Sequence, residues 1–191
     1  MKETIIYGGA FYPPTRAHQA VLQACVEYAD QRNADVWLLP SASRVDKNID
    51  ASIERRLELC DALRRDIVSR TVRVEICRQE LDRHAPMETY DTVQELATDY
   101  PDRSFIWVFG SDAVVTMRSW NQGQWLYDNL SMLVVSRPDT PPVALGARAL
   151  WLQVETGNVS STEVRRRMSA GEDYSTLVSS RVAALLDGAM V

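Results

Sequence analysis

The chain contains no stretch near the roughly 18 consecutive apolar residues that a membrane-spanning helix needs, so no membrane partner is expected. It also lacks a basic surplus. There are 26 acidic side chains against 21 lysines and arginines, a net charge of −5, which argues against a general nucleic-acid-binding surface. Any anionic ligand must then be held by a locally positive patch. Cysteine is scarce: Cys25, Cys60 and Cys77 are odd in number, form no C-x-x-C pair and each sit in an apolar segment, so buried free thiols are expected. That state suits a reducing compartment. Histidine is scarcer still, with only His18 and His84, and no pair of acids or His/Cys cluster has metal-ligand spacing, so no protein-held metal is expected. There is neither an internal repeat nor a low-complexity segment. The opening "MKETIIYGG" is interrupted too soon to serve as a signal peptide, and a cytoplasmic protein is the expectation.

What is present is an alternation of short β-branched runs with longer helical patterns, the mark of βαβ units around a mainly parallel sheet. The strand candidates are Thr4–Tyr7, Asp35–Leu39, Thr71–Ile76, Ser104–Phe109, Met132–Val135 and Ala149–Val154. Between them, Val21, Leu22, Cys25, Tyr28 and Ala29 follow a 3.6-residue period, as do Ile53, Leu57, Cys60, Leu63 and Ile67. A third helix is expected over Asp91–Thr98, and two more, Ser161–Ala170 and Ser175–Leu186, follow the last strand. With 191 residues and 46% hydrophobic content, the expectation is one α/β domain: a Rossmann-like core over 1–158, helices on both faces of the sheet, and a small C-terminal helical extension over 159–191. In such sheets ligands bind beyond the carboxyl ends of the strands, so the loops that follow strands carry the functional interest.

The first of these loops, in "YGGAFYPPTRAHQAV", is chemically dense. Gly8 and Gly9 allow a ligand to approach the backbone, Pro13 and Pro14 keep the turn out of the helix, and Thr15 is placed to cap it. His18 follows one turn in. A hydroxyl, an imidazole and helix N-terminal amides would then face one anion, although a capped Gly-rich turn with an incidental histidine explains the same residues. The loop is neither a Walker A sequence nor G-x-G-x-x-G. Near the other end, "VSSTEVRRRM" begins with Ser160 and Glu163 at capping-box spacing, which accounts for a helix start but not for Arg165, Arg166 and Arg167 in an acidic chain. At most one or two of these arginines can face inward.

"GGAFYPPTRAH" resembles the G-x-F-x-P-x-[HT]-x-G-H signature of the nucleotidyltransferase superfamily, and "VSSTEVR" resembles its downstream I-S-S-T-x-x-R element. "METYDTVQEL", "FGSDAVVTMRSW" and "VVSRP" are similar to segments of the bacterial nicotinate-nucleotide adenylyltransferase family, and the similarity runs nearly end to end. Two positions depart from the pattern: Tyr12 stands where Asp is usual, and Ala17 where Gly is usual. The resemblance implies transfer of the adenylyl group of ATP to nicotinate mononucleotide, with pyrophosphate released by direct in-line attack and Mg2+ carried in with ATP. It implies that His18 and Thr15 bind the reacting α-phosphate, and that Arg165 with Ser160, Ser161 and Thr162 holds the β- and γ-phosphates. It also places Gly8, Gly9, Ala10, Phe11, Gly110, Asp112 and Arg137 with ATP, and Lys47, Thr89, Tyr90 and Trp120 with the pyridine mononucleotide. The 159–191 segment would complete the ATP site. Simpler roles stay open: a helix cap for Asp112, core packing for Trp120, solvation for Lys47. The alternatives are a same-fold transferase using nicotinamide mononucleotide, phosphopantetheine or another phosphorylated acceptor, or a non-catalytic nucleotide-binding homologue. A homo-oligomer is left open.

Overall fold

The computed structural model describes residues 1–42, 49, 51–83, 88–136, 140–141 and 143–188. Among these residues six strands form one sheet: β1 Lys2–Gly9, β2 Asp35–Pro40, β3 Val74–Ile76, β4 Arg103–Gly110, β5 Ser131–Val135 and β6 Ala149–Leu152. Every neighbouring pair is parallel, in the order β3-β2-β1-β4-β5-β6. This is the doubly wound order expected of a Rossmann-like core, with its switch point between β1 and β4. The strands read as nearly continuous apolar runs because both faces of the sheet are covered. Adjacent residues feed opposite cores: Ile5, Val36, Leu38 and Val108 pack on one face, Ile6, Trp37, Leu39 and Trp107 on the other.

Helices α1 (Arg16–Asp30) and α2 (Ile53–Arg65) cover the first face. The second face is covered by α3 (Thr89–Asp99), α4 (Ser111–Met117) and α5 (Gly123–Asn129). The short helices α4 and α5 are not visible in the sequence as periodic stripes, since each spans 7 residues, too few for a pattern to repeat. Gly123 lets them turn tightly, because a Cβ there would stand 2.0 Å from the Met117 carbonyl oxygen. In α2 the buried side is Arg56, Leu59, Cys60, Ala62 and Leu63, whereas Ile53 is 38% exposed. The apolar stripe expected from Ile53 and Leu57 is thus rotated, and a charge at position 56 concealed it.

The C-terminal helices α6 (Ser161–Ala170) and α7 (Ser180–Asp187) form a third apolar cluster with α2, in which Leu59, Val164, Val178, Val182 and Leu186 meet. The seventh helix starts later than Ser175, since Ser179 caps it by accepting from Val182 N–H. The third strand likewise starts at Val74 rather than Thr71, because Ser69 and Val72 close a local turn before it. All three cysteines are free and buried. Burial pushes the Cys60 thiol up to about 12 despite the nearby Arg56 charge, so it is no nucleophile. No helix among the described residues is long and apolar enough to cross a membrane.

Candidate active site

Two cavities open at the carboxyl edge of the sheet and share one wall residue, Ala10. The first, about 480 Å³, lies between the β1–α1 loop and the start of α6, and includes His18, Asp112, Ser160, Ser161, Thr162 and Arg165. The second, about 470 Å³, lies across β1, β2 and β4, and includes Gly8, Gly9, Glu80, Thr89, Phe109 and Trp120. A further cavity of about 400 Å³ beside β3, between Trp37, Cys77 and Tyr100, holds none of the candidate residues.

His18 is oriented by its own helix start. Thr15 caps α1 from an extended backbone, its hydroxyl lies 2.8 Å from His18 Nδ1, and its backbone N–H donates to the same nitrogen at 3.0 Å. A nitrogen that accepts the backbone N–H carries no proton of its own, so the ring hydrogen sits on Nε2. The expected cap and the expected anion ligand are therefore one device: capping fixes the tautomer that makes the imidazole an N–H donor. Phe11 supports the ring from the side, edge-on at 5.4 Å, and is itself edge-on to Tyr7 at 5.3 Å. With no exposed surface and a left-handed φ of 47°, Phe11 turns the chain and packs behind the site. Its ring also lies where a side chain on Gly9 would need to be, 3.2 Å from a Cβ built there.

The two distant motifs are in direct contact. Ser161 Oγ donates to the Pro13 carbonyl at 2.9 Å, and Arg165 Nη1 donates to the Tyr12 carbonyl at 2.6 Å. Arg165 Nη2 also reaches Thr162 Oγ1 at 3.3 Å, while Arg16 N–H donates to Leu177 O at 2.9 Å. The start of α1 is thereby held against the C-terminal helices. Of the three consecutive arginines only Arg165 lines the cavity. Arg166 is bound by Glu163 and Glu172, and Arg167 by Glu163. Those guanidinium hydrogen bonds, from Arg166 first and then Arg167, hold the Glu163 carboxyl down at about 2. Ser160 accepts from the Glu163 N–H at 3.2 Å, so the cap is made, but the Glu163 side chain turns to the arginines instead of closing the capping box. The positive patch expected in an acidic chain thus consists of Arg165 and the α6 N-terminus.

The remaining candidates separate clearly. Gly8 and Gly9 line the second cavity only, on the opposite side of Ala10 from His18 and Arg165. Gly110 is the N-cap of α4, and Asp112 stands exposed in its first turn, facing the first cavity. Trp120 is half-buried, edge-on to Phe109 at 6.1 Å, with Nε1 donating to Thr116 Oγ1 at 3.2 Å, so it both packs on the core and lines the second cavity. Thr89 lines that cavity too. Tyr90 does not; one residue on and about 100° further around α3, its ring meets Trp125 edge-on at 5.2 Å. Lys47, Arg137 and His84 lie outside the described residues. Ala17 is 2% exposed and lines neither cavity, so its methyl group crowds no ligand in them. Tyr12 lines the first cavity and packs on the C-terminal cluster. Its carbonyl, a group every residue has, receives Arg165.

Sequence reasoning missed Glu80. Its carboxylate lines the second cavity, accepting from Ala42 N–H at 3.1 Å and Thr92 Oγ1 at 2.9 Å. Desolvation raises its pKa, against the opposing pull of those hydrogen bonds and of Arg83 and Arg56. No local pattern in "CRQELDRH" distinguishes this acid from a solvated one.

The cytidylyltransferase-like family model matches residues 6–167, spanning both motifs and both cavities. This chain belongs to that family. Among its relatives in the cytidylyltransferase-like family, the probable nicotinate-nucleotide adenylyltransferase of Exiguobacterium sibiricum is 32% identical over 184 residues, covering 95% of this chain and 94% of the relative. One from Anaeromyxobacter dehalogenans is 32% identical over 185 residues, covering 95% and 91%. The solved structure of Plasmodium falciparum nicotinic acid mononucleotide adenylyltransferase complexed with NaAD superposes with a TM-score of 0.83 at 19% identity, covering 100% of this chain and 97% of that one, a likeness of fold. The Rossmann-like expectation and the family resemblance read from the motifs both hold.

Proposed function

We propose that this cytidylyltransferase-like protein joins the AMP part of ATP to nicotinate mononucleotide, releasing pyrophosphate and giving the deamido form of NAD. The observation that carries the reading is the pair of cavities meeting at Ala10, one cationic and hydroxyl-rich, the other glycine- and aromatic-walled. A triphosphate suits the first and a pyridine ring the second; their phosphates would meet at the shared wall. The curated relatives at 32% identity, named as probable nicotinate-nucleotide adenylyltransferases, support the choice of acceptor.

In-line displacement needs no protein nucleophile, so the chain's work is positioning and charge stabilisation. His18 Nε2–H donates to the α-phosphate oxygens as negative charge builds there; Thr15, expected beside it on the phosphate, is buried and lines neither cavity, so it serves by holding the ring through Nδ1. Arg165, the Ser160 and Thr162 hydroxyls and the amides at the start of α6 hold the β- and γ-phosphates and favour the leaving pyrophosphate, while the Ser161 hydroxyl is committed to the Pro13 carbonyl. Asp112 accepts ribose hydroxyls of the adenosine, near Gly110. Ala10 and Phe11 form the loop under the phosphates. Trp120 stacks on the pyridine ring, with Thr89 beside it and the Gly8–Gly9 backbone open to close approach. The segment from residue 159 onward belongs to the ATP site through Ser161 and Arg165, which makes residues 1–191 one functional unit. Magnesium enters as part of the ATP substrate. It would be coordinated mostly by substrate oxygens and water, with Asp112, the one carboxylate among the described residues lining the first cavity, close by. Free buried thiols accord with a cytoplasmic setting, and the acidic balance with substrates that are small nucleotides rather than nucleic acid.

The test is pyrophosphate release from ATP and Mg2+ against nicotinate mononucleotide, nicotinamide mononucleotide and phosphopantetheine, with the dinucleotide identified by mass. Turnover highest with nicotinate mononucleotide is expected. ATP binding without turnover on any acceptor overturns the proposal.

A further inference from the structure

Arg56 is 2% exposed and lines neither cavity, yet it occupies the buried side of α2 beside Leu59, Cys60 and Leu63. A guanidinium in that position is costly to bury, and a methionine or leucine would fill the space without the cost. Burial does lower its pKa, and its Nε has no partner among the described residues. What the arginine achieves lies at its other end. Arg56 Nη2 donates to the Ala10 carbonyl at 3.2 Å and also to the Ser41 carbonyl. Ser41 N–H in turn donates to the Gly9 carbonyl at 2.9 Å, which ties the end of β2 to the end of β1. Glu80 completes the frame: its attraction supports the Arg56 charge, and its carboxylate grips Ala42 N–H and Thr92 on α3. One buried cation thus anchors the residue shared by the two cavities, Ala10, to the loop that walls the second, at Ser41.

We infer that Arg56 is a positioning residue for adenylyl transfer, fixing from behind the wall at Ala10 the separation at which the two nucleotides react. The inference rests on the reaction proposed above. In-line attack requires near-contact of the reacting atoms, and a displacement of about 1 Å costs on the order of a hundredfold in rate even when both substrates still bind. Arg56 lines neither cavity, so its removal acts on geometry and leaves the binding groups in place.

The experiment compares wild type, Arg56→Met and Arg56→Lys at saturating ATP and nicotinate mononucleotide, with thermal unfolding of each. Arg56→Met is expected to fold, to keep both KM values within about threefold, and to lose about a hundredfold in kcat. Arg56→Lys, which reaches one carbonyl with its ammonium, recovers part of that loss. A kcat within threefold of wild type in Arg56→Met overturns the inference, as does a loss confined to KM or one that only follows the unfolded fraction. Should Arg56→Met fail to fold, the same kcat-against-KM split in Arg56→Lys decides. An inactive wild type removes the reaction and this inference together; an active wild type with an unimpaired Arg56→Met removes this inference alone.

Discussion

Replacing His18 by alanine separates the two things its imidazole does. Nδ1 accepts the Thr15 N–H, which is half of the α1 capping box, and the ring fixes a hydrogen on Nε2 at the wall of the first cavity. Alanine leaves Thr15 able to cap through its own hydroxyl. The structural loss is therefore that of part of a cap, about 1 kcal/mol or less, and in a chain of this length a fall in Tm of about 2–4 °C. The catalytic loss is larger. A hydrogen bond to a charged oxygen contributes about 1.5–3 kcal/mol. If it acts only as charge develops on the α-phosphate, kcat falls about 10- to 150-fold with little change in either KM. Steady-state pyrophosphate release read beside the thermal melt gives both numbers from one preparation. A kcat within twofold of wild type, with the expected drop in Tm, would show that His18 is a cap and nothing more.

Trp120→Ala is expected to raise the KM for nicotinate mononucleotide about tenfold through lost stacking, with a smaller change for ATP; the reverse pattern would move Trp120 to the other cavity. Arg165→Ala should raise the KM for ATP and lower kcat, whereas Ser161→Ala, which loses only the bond to Pro13, should cost about 1 kcal/mol of stability and far less activity. Equal kinetic loss in the two would mean that Arg165 acts as a strut. Glu163 offers a test in pH: its folded pKa of about 2 lies below the ordinary 4.5, so its ionised form stabilises α6 above pH 4.5 and that contribution is lost as pH falls toward 2. The stability difference between wild type and Glu163→Gln in urea should be constant above about pH 5.5 and shrink below pH 4.5; a difference independent of pH would refute the Glu163–Arg166–Arg167 pairing in solution.

Local chemistry carried most of what the sequence determined alone. Apolar runs bounded by turns located the six strands, and 3.6-residue periods located α1 and α2, because burial on a sheet face or a helix stripe repeats along the chain. Thr15, Ser160 and their neighbours announced helix starts, since a cap is written within four residues. The family followed from the two motifs, and with it the expectation that they share a ligand. Tertiary structure alone decided what those motifs do to each other. That Arg165 and Ser161 bind the carbonyls of Tyr12 and Pro13 depends on where α6 packs against α2, a contact no spacing encodes. It also decided that Gly8 and Gly9 belong with Trp120 rather than with His18, that Tyr90 turns to Trp125, and that the Ala17 methyl is sheltered. Glu80 and Arg56 were beyond reach for the same reason. In sequence a charged residue looks solvated; its burial, its partners and its cost exist only once strands 30 or more residues apart have been brought side by side.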